Sequence, residues 1–405
     1  MMKVGLGTFL IVTLLWLWSC EENPVELPLE QATLVQDTLY ATVDTTFQVP
    51  RIITTLASQR LLLGELAGFK FRIIMRFAGF PAAVTTIDSA WIRFTTLEAS
   101  GEMPVEFTAT GYPILQSWIA DTSEVWKDYN SNVDFSDPMG EMTVTTGRND
   151  TVFFHFNSSG MTRVNNWADT SSGVDNFGMA LDFSSANFVK EFQARNSSNN
   201  IGPFLFIQYR DSTDSVMVDS LLAISDAFLF EGDFQPVPGR NQVTTLRPRA
   251  TLLRFNLDTL KQIYPEGIII ESVNLEMGID WNNTLLNRDF KANLEILPLT
   301  SSITDSNITV DSTFVGQETR LVDFSHFNSD SSLLQVSTAG DRQQLARLFV
   351  QNMLNTPDLY QGFYIDFKNA NQFLSRFTFF RYNDSDPAKR PRLIIQSLKL
   401  PDERL

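Results

Sequence analysis

The feature that most constrains this 405-residue chain is an internal repeat, because a unit that occurs twice must fold the same way twice. Four sequence blocks recur in one order, each with a copy in both halves: Ile73–Phe77 and Thr251–Phe255, Ile87–Phe94 and Ile270–Met277, Gly178–Phe183 and Gly362–Phe367, Pro203–Gln208 and Pro391–Gln396. Four blocks in the same order predict two related units, at 31–210 and 215–400. The polar connection 211–214 between them is short, so we expect the two units to touch.

A period-2 alternation of apolar and other side chains predicts strands in both units. In the first unit, Ala90, Ile92 and Phe94 fall on one face of a strand, which leaves Trp91 and Arg93 on the opposite face. The same alternation in three more segments gives these core-facing residues: Val273, Leu275 and Met277; Val152, Phe154 and Phe156; Leu205, Ile207 and Tyr209. The shared pattern therefore predicts which face of each strand is buried.

A short helix is predicted towards the end of each unit. Residues 341–344 resemble a helix capping box, and the apolar residues that follow share one helical face: Leu345, Leu348, Phe349 and Met353. The first unit has Met161, Val164 and Trp167 in the matching place. Many strands with one or two short helices in each unit predict an all-β fold of two tandem jelly-roll-like β-sandwich domains.

The composition agrees with an all-β extracellular protein. The formal net charge is −16 at pH 7, so phosphate backbones would repel the chain and nucleic acid is not an expected partner. Hydrophobic residues make up 43% of the chain, which is enough for packed cores, and phenylalanine is abundant at 33 residues. Frequent Ser, Thr, Asp and Asn, with few helical periodicities, favour strands and turns.

The N-terminus has the pattern of a secretory signal. Lys3 is followed by the uncharged apolar run Val4–Trp18, which is shorter than the ~20 residues of a membrane span. The run ends in Leu17-Trp18-Ser19-Cys20, which resembles the lipobox of bacterial lipoproteins, although a small residue is usual where Trp18 stands. Cys20 is the only cysteine. The pattern predicts a signal peptide at 1–19 and lipid attachment at Cys20, where two or more acyl chains give stable anchoring.

Residues 20–30 are predicted to be the lipid-bearing cysteine and a flexible tether, because the stretch is rich in Glu and Pro. Glu21 and Glu22 resemble the surface-export signals of Bacteroidetes lipoproteins, and a plain solvated linker is the alternative interpretation. The expected location is the outer membrane, with the protein anchored by lipid on either its periplasmic or its cell-surface face.

The repeated blocks resemble the DNRLRE-type domains of secreted bacterial proteins. Those domains have an Arg-Phe strand, a Ser-Ala-x-Leu strand, a short helix ending near Trp, an Asn-x-Gly strand and a closing Pro-Arg-Leu strand. The corresponding segments here are Arg76-Phe77, Ser89–Ile92, Val164–Trp167, Asn176–Gly178 and Pro391–Leu393. The second unit has Arg254-Phe255 and Ser272–Leu275, but Met353 and Gln361 replace the Trp and the Asn. The resemblance spans most of 35–400, apart from inserts at 100–150 and 285–335. It implies a fold similar to carbohydrate-binding modules, and therefore sugar binding.

Residues suited to catalysis or metal binding are few. The two histidines, His155 and His326, lie in different units, and Cys20 is predicted to be acylated. No transition-metal site, no cofactor and no enzymatic activity are therefore expected. The acidic turn Asn383–Asp386 could hold a structural Ca²⁺ through oxygen ligands, and a solvated turn is the alternative.

Two kinds of charged residue recur in the repeat. Asp182 matches Asp366, and Arg76 matches Arg254. Paired carboxylates can hydrolyse glycosides, but each aspartate lies within its own unit, so we interpret both as structural hydrogen-bond acceptors. We interpret the two arginines as members of structural ion pairs.

Trp91 and Arg93 are the candidate ligand-binding residues. The alternation turns both outwards, where an indole offers a flat apolar face to a sugar ring and a guanidinium offers donors to its hydroxyls. The alternative is that a loop or the other unit covers Trp91. Three more tryptophans lie in the inserts, where loop-borne function is expected: Trp118, Trp126 and Trp281.

Two functional hypotheses follow from these features. The first is a membrane-anchored surface lipoprotein that binds glycans or mediates adhesion. The second is a structural or docking subunit of an outer-membrane protein assembly. The corresponding partners are a polysaccharide or another outer-membrane protein, in addition to the membrane that holds the lipid anchor.

Overall fold

The computed structural model describes residues 33–51, 53–82, 84, 86–101, 106–118, 129–147, 151–197, 201–211, 213–265, 267–286, 293–302, 307–311, 321–323, 333–336, 343–368, 370 and 373–399. Within these ranges, 21 strands (β1 to β21 in chain order) carry most of the regular structure, and four short α-helices (α1 to α4) accompany them. The chain is therefore all-β, as the alternation predicted.

The first sandwich contains eleven strands and two helices. Their bounds are β2 Arg60–Leu66, β3 Phe69–Arg76, β4 Thr86–Gly101, β5 Glu106–Pro113, α1 Tyr129–Asn132, β6 Gly140–Thr145, β7 Thr151–Phe156, α2 Ser158–Ala168, β8 Met179–Phe183, β9 Phe188–Gln193, β10 Phe204–Arg210, β11 Val216–Leu222 and β12 Ser225–Gly232. Because β4 pairs with β7 and also with β9, the path β4-β7-β6-β5-β8-β3-β2-β9 returns to β4. β10 joins this closed circuit along β4, β12 joins it along β3, and β11 lies at the edge beyond β10.

The second sandwich contains ten strands and two helices. Their bounds are β1 Thr33–Gln48, β13 Arg240–Thr244, β14 Arg249–Phe255, α3 Asp258–Ile263, β15 Ile268–Gly278, β16 Asn293–Leu299, β17 Leu321–Asp323, β18 Leu333–Val336, α4 Gln343–Asn355, β19 Gly362–Phe367, β20 Arg376–Phe380 and β21 Arg392–Lys399. The strand order is β17-β16-β19-β14-β1-β21-β15-β18, and β13 connects β14 to β20.

The pairings of the two sandwiches correspond strand by strand, which accounts for the repeated sequence blocks. β3 pairs with β2, β8 and β12, and the corresponding strand β14 pairs with β13, β19 and β1. In the same way, β10 lies between β4 and β11, and β21 lies between β15 and β1. The same jelly-roll-like arrangement therefore occurs twice.

The leading strand of each repeat completes the other sandwich. β1 begins the first repeat but pairs with β14 and β21 of the second sandwich. β11 and β12 begin the second repeat but pair with β10 and β3 of the first. The predicted boundaries, 31–210 and 215–400, therefore do not match the division of the strands. Residues 60–232 form the first sandwich, and residues 33–48 with 240–399 form the second.

Asp211, Thr213 and Asp214 belong to a hairpin turn between β10 and β11 and not to a connection between the units. The backbone N–H of Asp211 donates to the carbonyl of Ser215 at 3.1 Å, which closes the turn between β10 and β11. The Asp211 carboxylate accepts bonds from the N–H groups of Thr213 and Ser215. A short polar turn between two alternating strands favours a hairpin, so β11 stays beside β10.

The two leading segments also match in sequence, in a fifth block that the strand register makes visible. Asp37-Thr38-Leu39 of β1 corresponds to Asp219-Ser220-Leu221 of β11. Further along the two segments, Ala41 corresponds to Ala223 and Asp44 to Asp226. Each segment therefore fits the same place in its sandwich.

The predicted core faces are confirmed where side chains are described. Ile92, Phe94 and Phe154 have no exposed surface in the core of the first sandwich. Val273 and Met277 lie in the corresponding core of the second. Aromatic and branched side chains that alternate along a strand bury one face and leave the other free, which is how the outward residues of β4 reach the surface.

The predicted helices are confirmed as well. α2 buries Val164 and Trp167, and Met161 packs against the same core. α4 covers the segment predicted in the second unit and buries Met353. The cap residues 341–342 and the side chains of Leu345, Leu348 and Phe349 lie outside the described part of the chain.

The two sandwiches pack against each other through a shared apolar cluster. Phe69, Phe71 and Phe228 of the first contact the region of Leu246 and Leu374 of the second. An ion pair joins Arg249 and Asp233 across the same region at 2.6 Å. The contact is therefore apolar at its centre and charged at its margin.

Candidate functional site

The outer face of the first sandwich carries an aromatic platform on three adjacent strands. β4 lies between β10 and β7, and the register places residues of the three strands side by side in two rows. One row is Phe206, Trp91 and His155, and the other is Phe204, Arg93 and Phe153. We refer to these six residues as the platform.

Ring contacts fix the centre of the platform. The rings of Trp91 and Phe206 are nearly parallel, with an interplanar angle of 3° and centroids 5.6 Å apart. The Arg93 guanidinium lies over both phenylalanines of β10, 5.2 Å from the Phe204 centroid and 5.1 Å from the Phe206 centroid. Offset stacking and cation–π contacts of this kind hold side chains in one arrangement.

The platform is open to solvent. Phe153 is 41% exposed, His155 is also exposed, and Trp91 and Arg93 are half-buried. Within the described part of the chain, Arg93 forms no salt bridge with a carboxylate, and its guanidinium lies over aromatic rings instead. Trp91 is therefore partly covered and partly exposed, so the alternative that a loop or the other unit covers it stays open.

Buried residues of the same strands support the platform from below. Ile92, Phe154, Leu205 and Ile207 alternate with the platform residues and have no exposed surface. Strands fixed by a packed core hold their outward side chains more firmly than loops do. The arrangement therefore places two parallel aromatic rings, a further exposed ring and a cation on the outer side of a packed sheet.

Sequence reasoning identified Trp91 and Arg93 but did not recognise Phe204, Phe206 and Phe153 as parts of the same site. The alternation did place these phenylalanines opposite the core residues of their strands. The missing information was which strands are neighbours, because β4, β7 and β10 are far apart in the sequence.

The repeat-matched aspartates have structural partners. Asp182 accepts a bond from Arg72 at 2.9 Å and lies 3.4 Å from the Lys70 ammonium. Asp366 accepts bonds from Arg51 at 3.1 Å and from the Tyr364 hydroxyl at 3.0 Å. Burial raises the pKa of the Asp366 carboxyl and, well above its ordinary range, the pKa of the Tyr364 hydroxyl. The two carboxylates lie in different sandwiches, as predicted.

The repeat-matched arginines have different surroundings. The Nε of Arg76 is buried and has no hydrogen-bond partner among the described residues. Arg254 is exposed and lines a cleft of about 350 Å³ with Thr42, Asp258 and Tyr360. Neither arginine forms a salt bridge within the described ranges, so the structure gives no support to the predicted ion pairs.

The remaining candidates lie away from the platform. Trp118 is buried and donates from Nε1 to the Phe177 carbonyl at 2.7 Å, and Trp281 packs against the second core. In the acidic turn, Asp384 is paired with Arg240 and Asp386 with Lys389. Residues of three predictions lie outside the described part of the chain: Cys20 with its signal and tether, Trp126 and His326.

None of the helices in the described ranges is both long and apolar enough to cross a membrane. In the same ranges, no cluster of three or more His, Cys, Asp or Glu side chains is arranged to hold a metal ion.

Comparisons with known proteins give no family for the chain. No family model matches it, and no curated protein matches it. Among solved structures, a chain from the structure of the Macrobrachium rosenbergii nodavirus is 12% identical, and the alignment covers 90% of this chain and 89% of that one at a TM-score of 0.13. A likeness at that score carries no argument. The resemblance to DNRLRE-type domains stays a prediction.

Proposed function

We propose that this chain is a membrane-anchored extracytoplasmic lipoprotein whose first sandwich binds glycans through the platform. The observation that carries the proposal is the half-exposed Trp91, stacked on Phe206 beside a guanidinium that has no carboxylate partner in the described ranges. The signal sequence and Cys20 support the location, and the resemblance to sugar-binding modules supports the ligand class.

The chemistry of the platform suits a saccharide. The C–H face of a pyranose ring is apolar and packs against a flat aromatic ring, while its hydroxyls need donors and acceptors at the edge. Trp91, Phe206 and Phe153 supply ring surface, Arg93 supplies N–H donors, and the exposed His155 supplies a ring nitrogen. The proposal assigns no catalytic step and no cofactor to the chain.

The test is a glycan array followed by titration calorimetry on residues 21–405, with Trp91→Ala as the variant. Asn274→Ala is the matched control, because Asn274 occupies the position of Trp91 in the second sandwich. We expect Trp91→Ala to weaken binding at least tenfold and Asn274→Ala to leave it unchanged. No binding to any polysaccharide, or equal binding by both variants, would contradict the proposal.

A second candidate function, a docking subunit of an outer-membrane assembly, is favoured by the edge strand β11. Val216, Met217 and Val218 are 53%, 44% and 63% exposed, and among the described strands β11 pairs only with β10. Exposed apolar edge strands recruit strands of other proteins. Purification from membranes under native conditions tests this function: a co-purifying partner would support it, and a lone monomer would count against it.

A further inference from the structure

The position between β14 and β21 in the second sandwich is filled by a strand that belongs, by sequence, to the first repeat. β1 pairs there through residues 33–40 with β21 and through residues 41–48 with β14. In the first sandwich, β11 and β12 fill the equivalent position. We refer to the β14–β21 position as the strand site.

Equivalent hydrogen bonds show that the two sites hold their strands in the same way. The N–H of Ala41 donates to the carbonyl of Pro391 at 2.9 Å, and the N–H of Ala223 donates to the carbonyl of Pro203 at 3.0 Å. Pro391 and Pro203 are repeat partners, as are the two alanines. The two sites therefore hold their strands in the same register.

The strand site also recognises a carboxylate. Asp44 of β1 is buried, and it accepts bonds from the Asn241 amide at 2.8 Å, the Arg381 guanidinium at 2.9 Å and the Tyr382 N–H at 2.6 Å. Its repeat partner Asp226 accepts one from the Arg195 N–H at 2.7 Å. A strand with a small residue followed three positions later by Asp satisfies both sets of partners.

The two leading segments differ in how the chain attaches them. β11 follows β10 through a turn of a few residues, which keeps β11 at very high effective concentration beside its own sandwich. β1 is attached to the first sandwich through the segment 49–59, which spans up to roughly 35–40 Å when extended. Only β1 is therefore delivered from another sandwich through a long connection.

We propose that the strand site accepts β1 from a second copy of this chain as well as its own, so that the protein forms strand-exchanged dimers. A second copy carries the same Ala41 and Asp44, and every contact of β1 is kept when the copies exchange strands. The two arrangements then differ only in the connecting segments and in association entropy, which is the condition that favours domain swapping.

Matched cysteine pairs test this proposal in chains whose Cys20 is replaced by Ser. Gln36 of β1 and Gln396 of β21 are register partners, and both are exposed. One tagged copy carries Gln36→Cys and a differently tagged copy carries Gln396→Cys. The two are unfolded, mixed and refolded together at increasing concentration, and disulfide-linked mixed dimers are then counted.

The control pair is Val218→Cys with Gln208→Cys. Val218 and Gln208 are register partners and occupy, in the first sandwich, the positions of Gln36 and Gln396. For each pair, a chain that carries both cysteines gives the disulfide yield expected when the strand pairs within its own chain. The yield of mixed dimers is then divided by this intrachain yield. We expect mixed dimers for Gln36→Cys with Gln396→Cys, several-fold above the control and rising with concentration. Absence of mixed dimers, or equal yields for both pairs, would overturn the proposal.

Discussion

In the first sandwich the outer face of β4 presents Trp91 and Arg93 beside two phenylalanines of β10, whereas in the second sandwich the same positions of β15 hold Asn274 and Glu276. Glu276 is buried and pairs with Arg392 of β21 at 2.7 Å. The hydrogen bond to Glu276 raises the pKa of the Arg392 guanidinium. One scaffold thus presents a cation on aromatic rings in one copy, with no salt bridge in the described part of the chain, and a buried ion pair in the other. The proposed binding therefore depends on these residues and not on the fold.

The leading strands differ in a similar way. Asp44 has two side-chain donors and a backbone donor, while Asp226 has a backbone N–H as its donor among the described residues. Burial raises the pKa of Asp226 to about 6. The second sandwich therefore surrounds its buried aspartate with several donors, including a guanidinium, whereas the first gives its aspartate one backbone donor among the described residues.

The largest effect is expected for Asp44→Asn. The change leaves the Arg381 guanidinium without its buried partner, and removing one member of a buried pair costs about 3–5 kcal/mol. Arg381 is partly exposed, so we expect the lower end of that range. Hydrogen exchange of residues 33–48 measures the loss, with Asp226→Asn as the matched control at neutral pH. An equal loss of protection in both variants would remove the distinction between the two aspartates.

The pH dependence of the first sandwich is the next largest effect. Between about pH 4 and pH 6, folded Asp226 holds a proton that the unfolded chain has released, so stability is highest below this window and falls as the pH rises through it. The free energy of unfolding is expected to fall by about 2–3 kcal/mol across this window, because each pKa unit is worth about 1.36 kcal/mol. Exchange protection of residues 225–232 should decline over this window in the native chain and stay level in Asp226→Asn. A decline in both would assign the effect to another group.

Phe206→Ala is expected to weaken glycan binding about tenfold, or about 1.4 kcal/mol, because Trp91 and Arg93 lose the ring that orients them. Ile394→Ala is the matched control at the same position of β21 in the second sandwich. Calorimetry with the best ligand from the glycan array gives both affinities. A loss shared by the two variants would indicate a general effect of the scaffold.

The smallest effect is the coupling between Glu276 and Arg392. A double-mutant cycle with Glu276→Gln and Arg392→Gln should give about 1 kcal/mol, because Arg392 keeps some contact with water. Urea unfolding of the native chain, the two single variants and the double variant gives the four free energies of unfolding that the cycle needs. A coupling near zero would mean that this face of the second sandwich is an ordinary solvated surface.

Local patterns in the sequence were sufficient to predict much of the fold. The alternation around Trp91 identified the core face of β4, and the apolar spacing near Trp167 and Met353 identified α2 and α4. The matched blocks identified two sandwiches of one design. Each of these features depends on neighbours within one strand or helix, which is what a sequence pattern records.

The exchange of leading strands could not be derived in the same way. Ala41 and Ala223, like Asp44 and Asp226, fit either sandwich, so the sequence of the strand does not choose between them. The choice is made by the turn at 211–214, which keeps β11 on β10 and leaves the β14–β21 position open for β1. Sequence reasoning identified only part of the platform for a related reason. Strand register places Phe206 beside Trp91 and Phe153 beside Arg93, and register between distant strands is not visible in the sequence.

The position of β1 also sets the path of mechanical force. With the proposed anchor at Cys20, tension from the membrane would reach β1 at Thr33, its first residue. β1 runs antiparallel to both β21 and β14, so a pull along its axis loads all of its backbone bonds in shear at once and does not open them singly. The second sandwich, although last in the chain, therefore holds the strand nearest to that anchor along its whole length.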